Sequence, residues 1–229
     1  LSLRRQRQMC IRDRLIPFQG ESSVAKQANE IVKNDLIRTG EFYIFDEKSL
    51  IAYPRSEDDI NYSDWRLIQA DYLLLTSVTE SNSGIEARYE IFDVRKKSKI
   101  RSSKVYGVTN NVRQLSHYVS DGIYEAITGI QGVASTKILY VSQINDPDAS
   151  YRLYVADADG ANEQLLVKSP EPIISPAWSP DSKKVAYVSF ETGIANVYIQ
   201  DISTGQRQSI IQKRCLTCIS NEQISSPSW

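Results

Sequence analysis

Histidine is nearly absent from this chain: His117 is the only one in 229 residues. A single imidazole excludes a histidine-based metal cluster and leaves no Ser–His–Asp constellation away from position 117. Cysteine is almost as scarce, and Cys10, Cys215 and Cys218 are too few to staple a disulfide scaffold. No apolar run approaches the roughly 18–20 residues of a membrane helix, so no direct insertion into a bilayer is expected. The ten glycines never stand two or four apart, which removes both the G-x-G-x-x-G dinucleotide fingerprint and the G-x-S-x-G nucleophile elbow. A surplus of one charge is also missing. With 27 basic and 28 acidic residues the net charge is −1, so no overall field recruits nucleic acid. The carboxylates are dispersed and form no recognisable acid/base pair. A binding protein rather than an enzyme is expected, with no cofactor.

What is there is ordinary in composition, 41% hydrophobic and 24% charged, in a chain long enough for one or two domains with a real core. Its most ordered stretch is Ile174–Phe190, ISPAWSPDSKKVAYVSF. An apolar-ended strand leads into Ser179-Pro180-Asp181-Ser182, where proline fixes φ and Asp and Ser can bond their own backbone. The β-rich run Val185–Val188 follows. The unit repeats: Lys137–Ser142 matches Lys184–Ser189 at an offset of 47, and Leu153–Asp157 matches Val197–Asp201 at 44. Ser226-Pro227-Ser228-Trp229 matches Ser175-Pro176-Ala177-Trp178 at 51. An all-strand repeat of this length is the signature of a β-propeller blade.

The rest of the chain reads as a different kind of domain. Leu1–Arg14 holds Arg4, Arg5, Arg7, Arg12 and Arg14 without apolar periodicity. No apolar core follows to make it a signal peptide. A nucleic-acid arm is the sharper reading, but the run resembles translated sequencing-adapter sequence, and residues 1–14 are expected to be a non-native tail outside the fold. A strand is expected at Leu15–Phe18. A helix follows, capped by Ser22 or Ser23, with the stripe Val24, Ala28, Ile31, Val32 and Leu36, and is stopped by Gly40. Asp35 falls inside that stripe. A local side-chain-to-backbone bond is the expected explanation, and a buried acid awaiting a partner the alternative. Phe42–Phe45 is a strand and Ser63–Ile68 begins a short helix. Tyr72–Leu75 has no polar face and should be a central strand covered on both sides. Ile85, Ala87, Tyr89 and Ile91 alternate with charged residues as a half-buried strand, whose turn Arg95–Ser98 leads to a weaker one through Val105. A last helix starts at Asn110 or Asn111, with the stripe Val112, Leu115, Val119, Ile123, Ala126, Ile127 and Ile130. His117 lies about 140° around the wheel from Val112 and is expected in solvent or at a contact surface. The order β-α-β-α-β-β-β-α makes a small mixed sheet with helices packed on it.

The blade repeat S-P-x-W-S-P-D, K-[IV]-x-Y-V-S, [LV]-Y-[VI]-x-D resembles that of the TolB family of the Tol-Pal system. The segment His117–Asp121 with Glu125 and Thr128-Gly129-Ile130 is similar to the closing helix of that family's N-terminal domain. Ile16–Gln19 with Asn34-Asp35-Leu36 is similar to its opening. The resemblance implies an α/β N-terminal domain at 15–130, a linker at 131–136, and a truncated propeller at 137–229 holding under two of six blades. It also implies a periplasmic scaffold, with the lipoprotein Pal and TolA-type inner-membrane proteins as partners. The alternative is the propeller part of a prolyl-oligopeptidase-like serine peptidase, whose hydrolase domain would lie elsewhere.

Two motifs stand apart. Asp157 and Asp159 suggest a Ca²⁺ loop, but no carboxylate at the twelfth position completes it, and an Asp-Gly turn is expected. Cys215-Leu216-Thr217-Cys218 lacks further ligands for zinc and the βαβ setting of a redox motif. It is expected in a blade loop, where Cys215 and Cys218 could form a small disulfide in an oxidising compartment.

Overall fold

The computed structural model describes residues 11–15, 22–45, 48, 50–81, 84–108, 111–146, 148 and 150–210. The chain divides into two compact units, Leu1–Ser135 and Thr136–Trp229. Among the described residues no helix is long and apolar enough to cross a membrane.

The first unit runs β1 (Ile11–Leu15), α1 (Ser23–Arg38), β2 (Phe42–Ile44), α2 (Tyr62–Leu67), β3 (Tyr72–Ser81), β4 (Gly84–Asp93), β5 (Ser98–Gly107) and α3 (Val112–Thr128). Its five strands lie in the order β2-β1-β3-β4-β5. β1 is parallel to both neighbours, and β3, β4 and β5 form an antiparallel meander. The element order is the expected one, but the first strand begins earlier than expected; residues 16–18 of the expected Leu15–Phe18 lie outside the described residues. β1 starts at Ile11, so four residues assigned to a foreign tail lie inside the sheet, between β2 and β3. A strand with one neighbour on each side pairs its backbone whatever its side chains, and the arginines of β1 hide it from a reading by apolar alternation.

β3 is the middle strand. Leu74 faces one side, among Val32, Leu36, Val119 and Ile123 of the helices α1 and α3. Leu73 and Leu75 face the other, with Phe92 and Trp65 of α2. Each helix begins and ends by recognisable means. Ser22 accepts from the Ala25 N–H at 3.2 Å, and Asn111 from Gln114 N–H at 3.1 Å. Gly40 at φ +73° and Gly129 at φ +74° take the left-handed conformation just past the last turns. Gly122 has a different reason. It sits mid-helix in α3, where a Cβ would collide with the hydroxyl of buried Tyr89 on β4.

The second unit holds two sheets. The first is β6 (Lys137–Gln143), β7 (Tyr151–Asp157) and β8 (Gln164–Ser169). The second, in the spatial order β12-β11-β10-β9, is β9 (Ile173–Trp178), β10 (Lys184–Ser189), β11 (Asn196–Asp201) and β12 (Arg207–Ser209). The β9–β10 turn is built as its residues dictate: Ser179 Oγ accepts the Lys184 N–H at 2.9 Å and donates to Asp181 Oδ1 at 2.6 Å. Leu153 and Val167 of the first sheet share a core with Ile173, Val185, Tyr187 and Tyr198 of the second. Two antiparallel sheets with apolar faces packed together are adjacent propeller blades.

Two outcomes follow from the first unit. Residues 1–135 expressed alone should melt cooperatively by circular dichroism. A version starting at Leu15, which deletes four of the five residues of β1, should not; equal melting of the two would show β1 to be dispensable. Gly122→Ala should destabilise by about 1–3 kcal/mol in urea titration, because the clash with Tyr89 outweighs the roughly 1 kcal/mol gain in helix propensity. A stabilised variant would mean that Tyr89 moves freely.

Candidate functional site

Among the described residues, buried polar side chains converge at the seam between α1 and α3 of the first unit. Asp35 and His117 each have a side chain 1% exposed. His117 Nδ1 lies 2.7 Å from Asp35 Oδ2, and Ser120 Oγ lies 2.8 Å from the same oxygen. Arg38 Nη1 donates to Oδ1 at 3.2 Å from the solvent side. Ser116, one turn before Ser120, donates to the Val112 carbonyl at 2.8 Å, and Ser120 Oγ is also 2.9 Å from the Ser116 carbonyl.

Both expectations for these residues are therefore corrected. His117 is not in solvent. α3 is flanked by the sheet on one side and by α1 on another, so its buried arc is wider than its apolar stripe and takes in a residue 140° away. Asp35 is the buried acid of the alternative reading: besides Arg38 on its own helix, it meets His117 and Ser120 of α3, more than 80 positions along the chain. Ser116 was not among the candidate residues, and Ser120 stood only within the segment His117–Asp121. Their signal was the polar run Ser116-His117 with Ser120 four residues on, one helical turn that could face Asp35.

The constellation contains an Asp, a His and a Ser, but not in catalytic order. In a triad the imidazole stands between the acid and the hydroxyl. Here the hydroxyl and the imidazole both address one carboxylate oxygen, so the imidazole does not stand between Asp35 and Ser120. The geometry instead clamps two helices, with each donor satisfying part of a buried acid.

Elsewhere the described residues form a surface cleft and a set of internally satisfied turns. A cleft of about 280 Å³ beside α2 has walls of Ile51, Ala52, Trp65 and Leu67 and carboxylates at Asp59 and Asp64. Asp59 is held below its usual carboxylate range by the N–H groups of Arg55 and Ser56 and by the Ser56 hydroxyl. The basic turn at Arg95–Ser98 is partly neutralised, with Arg95 paired to Asp71 and Lys96 to Asp93. In the second unit Asp157 receives Lys137 Nζ and Asn162 Nδ2, each at 2.6 Å, so the protein's own donors occupy both carboxylate oxygens. Asp159 closes the turn by accepting the Ala161 N–H at 3.0 Å. Asp201 repeats the device at the equivalent turn, and Ser203 and Thr204 pull its pKa down to about 2. Cys10, Cys215 and Cys218 lie outside the described residues.

Removing the shared acceptor should expose the clamp. Asp35→Ala is expected to lower the stability of the first unit by about 2–4 kcal/mol, because His117 and Ser120 are left buried with a lost partner. Asp35→Asn should cost less, since it keeps the volume and one acceptor oxygen. Urea titration followed by tryptophan fluorescence reads both. Losses under about 0.5 kcal/mol would show that the contact does not hold the helices.

Comparison with known proteins agrees with this architecture. The family model described as the TolB amino-terminal domain matches residues 7–100, and the one described as the TolB beta propeller domain matches residues 124–221. The Tol-Pal system protein TolB of Marinomonas sp. (strain MWYL1) is 37% identical over 207 residues, 88% of this chain and 48% of that protein. That of Hahella chejuensis is 38% identical over 201 residues, covering 86% and 47%. The crystal structure of TolB from Acinetobacter baumannii matches with a TM-score of 0.79 at 36% identity, over 87% of this chain and 49% of that one. The chain thus spans about half the length of the curated relatives it matches. The peptidase alternative is not favoured by any of these relatives. With an α/β domain and S-P-x-W-S-P-D blades matched in tandem, the chain belongs to the TolB family.

Proposed function

We propose that this chain is part of a periplasmic scaffold of the Tol-Pal system. In this reading the protein links inner-membrane Tol proteins to the outer-membrane lipoprotein Pal, and so supports outer-membrane integrity and constriction at division. The observation that carries it is the tandem match to both TolB domains, together with relatives named as Tol-Pal system proteins. The physical features support a binding role. The blades are antiparallel sheets held by a shared apolar core, which leaves their turns free for docking in this reading, and the α/β unit buries both faces of its sheet. Among the described residues the polar seam of the first unit is sealed from solvent and arranged for cohesion, not for turnover. The contact with Pal belongs mainly to propeller loops, and that with TolA to a segment outside the matched domains.

The full-length protein should be retained by purified, immobilised Pal. When supplied to a Gram-negative strain lacking its TolB, it should also restore exclusion of detergent. A folded full-length protein that neither binds Pal nor restores exclusion would reject the proposal. The same compartment assignment makes Cys215 and Cys218 candidates for oxidation. Mass after alkylation of exported, unreduced protein should show both blocked to the reagent, and two labelled thiols would remove the proposed disulfide.

A further inference from the structure

Short as it is, α2 divides its side chains between two environments. Tyr62, Trp65 and Ile68 recur every three residues and pack into the core on their face of the sheet. Leu67 stands two positions after Trp65, roughly 200° around the helix, and is 83% exposed. It is the most exposed large apolar side chain among the described residues. Leu67 and Ile51, itself 48% exposed, both line the cleft of about 280 Å³ beside α2, with Ala52, Trp65 and Ile68 as the rest of its apolar lining.

The cleft is held in shape by its own polar contacts. Asn61 caps α2 by accepting the Ser63 N–H at 3.2 Å, and its Nδ2 donates to Asp64 Oδ2 at 2.8 Å. Asp59 gathers the N–H groups of Arg55 and Ser56, each at 3.0 Å. At the far end Gln69, at φ +56°, takes the left-handed position that ends the helix, and the Ala70 N–H returns to the Trp65 carbonyl at 3.1 Å. A surface already ordered in this way loses less entropy when a partner arrives.

The charge around the cleft is mostly of one sign. Glu57, Asp58, Asp59 and Asp64 are all exposed. Lys99 pairs with Glu57, but among the described residues no ion pair reaches Asp58, Asp59 or Asp64. Two arginines stand near. Arg55 adds its field at Asp59. Arg66 is turned toward the β4–β5 connection, where it donates to the Val94 and Arg95 carbonyls at 3.3 and 2.6 Å.

We propose that this cleft is a docking site for a basic, amphipathic segment of another protein. A leucine or phenylalanine of that segment lies on Ile51, Trp65 and Leu67, and a neighbouring lysine or arginine meets Asp59 and Asp64. The volume suits one or two side chains and falls short of a drug-sized ligand. A second copy of this chain is disfavoured as the occupant, because a two-fold contact sets acid against acid. An anionic lipid surface is repelled by the same carboxylates. The site belongs to the first unit alone and is separate from the propeller loops invoked for Pal.

The test titrates the capped peptide Lys-Phe-Lys-Leu-Lys-Phe-Lys into the isotopically labelled 229-residue chain and follows its amide signals by NMR. Signals of residues 51–52 and 64–68 should move, with half-saturation below about 1 mM in about 50 mM salt. Leu67→Ser should raise the half-saturating concentration about fivefold or more. Asp64→Asn should raise it about threefold, and Asp64→Glu should leave it within about twofold. Because Leu67 is exposed, its variant should keep the parent's thermal transition, which circular dichroism checks. No movement of these signals below about 1 mM, equal binding of the analogue with glutamate at each lysine, or equal binding by Leu67→Ser would overturn the proposal. So would phosphatidylglycerol vesicles that move the same signals, or self-association on size exclusion that Leu67→Ser abolishes. A failure to bind Pal would leave every one of these outcomes unaffected.

Discussion

A strand with no polar face must be covered twice, and in the first unit that requirement organises everything else. The run Tyr72-Leu73-Leu74-Leu75 places Leu74 on one side of the sheet and Leu73 and Leu75 on the other. Water must be excluded from both faces, at about 25 cal/mol for each Å² of apolar surface removed from it. One face takes α1 and α3, the other takes α2 with Trp65. The neighbours of β3 are fixed by the same need. β1 pairs along Tyr72–Leu74 on one edge and β4 along the whole of β3 on the other, so the leucine run lies inside the sheet.

Covering one face with two helices creates a second problem, because the helices meet each other as well as the sheet. Along that seam the chain does not use apolar residues alone. It buries Asp35 and answers it with His117 and Ser120. A buried carboxyl group is costly unless its oxygens are met, and these partners can meet them only when α1 and α3 stand at one particular height and rotation. Apolar stripes would tolerate sliding; a shared acceptor oxygen does not. The polar seam therefore contributes specificity of packing, and the apolar faces contribute most of the stability. Gly122 adds a further constraint on α3, because the Tyr89 hydroxyl fits only where the helix has no Cβ.

What could be read from the sequence follows from this division. Elements that bury one periodic stripe were legible, with their caps: α1 from Ser22, α3 from Asn111, and the alternating β4. The leucine run announced a central strand because no half-exposed strand would carry it. Three things were hidden, each for a physical reason. β1 is recognisable only from its neighbours, since its arginines break the apolar pattern. His117 was misplaced because a helical wheel assumes one buried face, whereas α3 has two. Asp35 was noticed as an anomaly, but its partners lie across 82 and 85 positions of chain, and no local rule connects them.

The blades were more legible than the α/β unit because a repeat carries its own internal control. Each strand can be compared with its copy, and positions that agree, such as Lys137 with Lys184 and Tyr140 with Tyr187, prove to hold the same place in the ladder. The same comparison gives meaning to a mismatch. Ile138 and Val185 hold equivalent places in the ladder, yet one is exposed and the other buried, because Val185 packs in the core shared with Leu153 and Val167 of the other sheet and Ile138 does not. Burial in a repeat protein is thus a property of the stack and not of the residue. Chemical similarity of two strands fixes what each is able to bury; the packing of a neighbouring sheet against it determines whether it does.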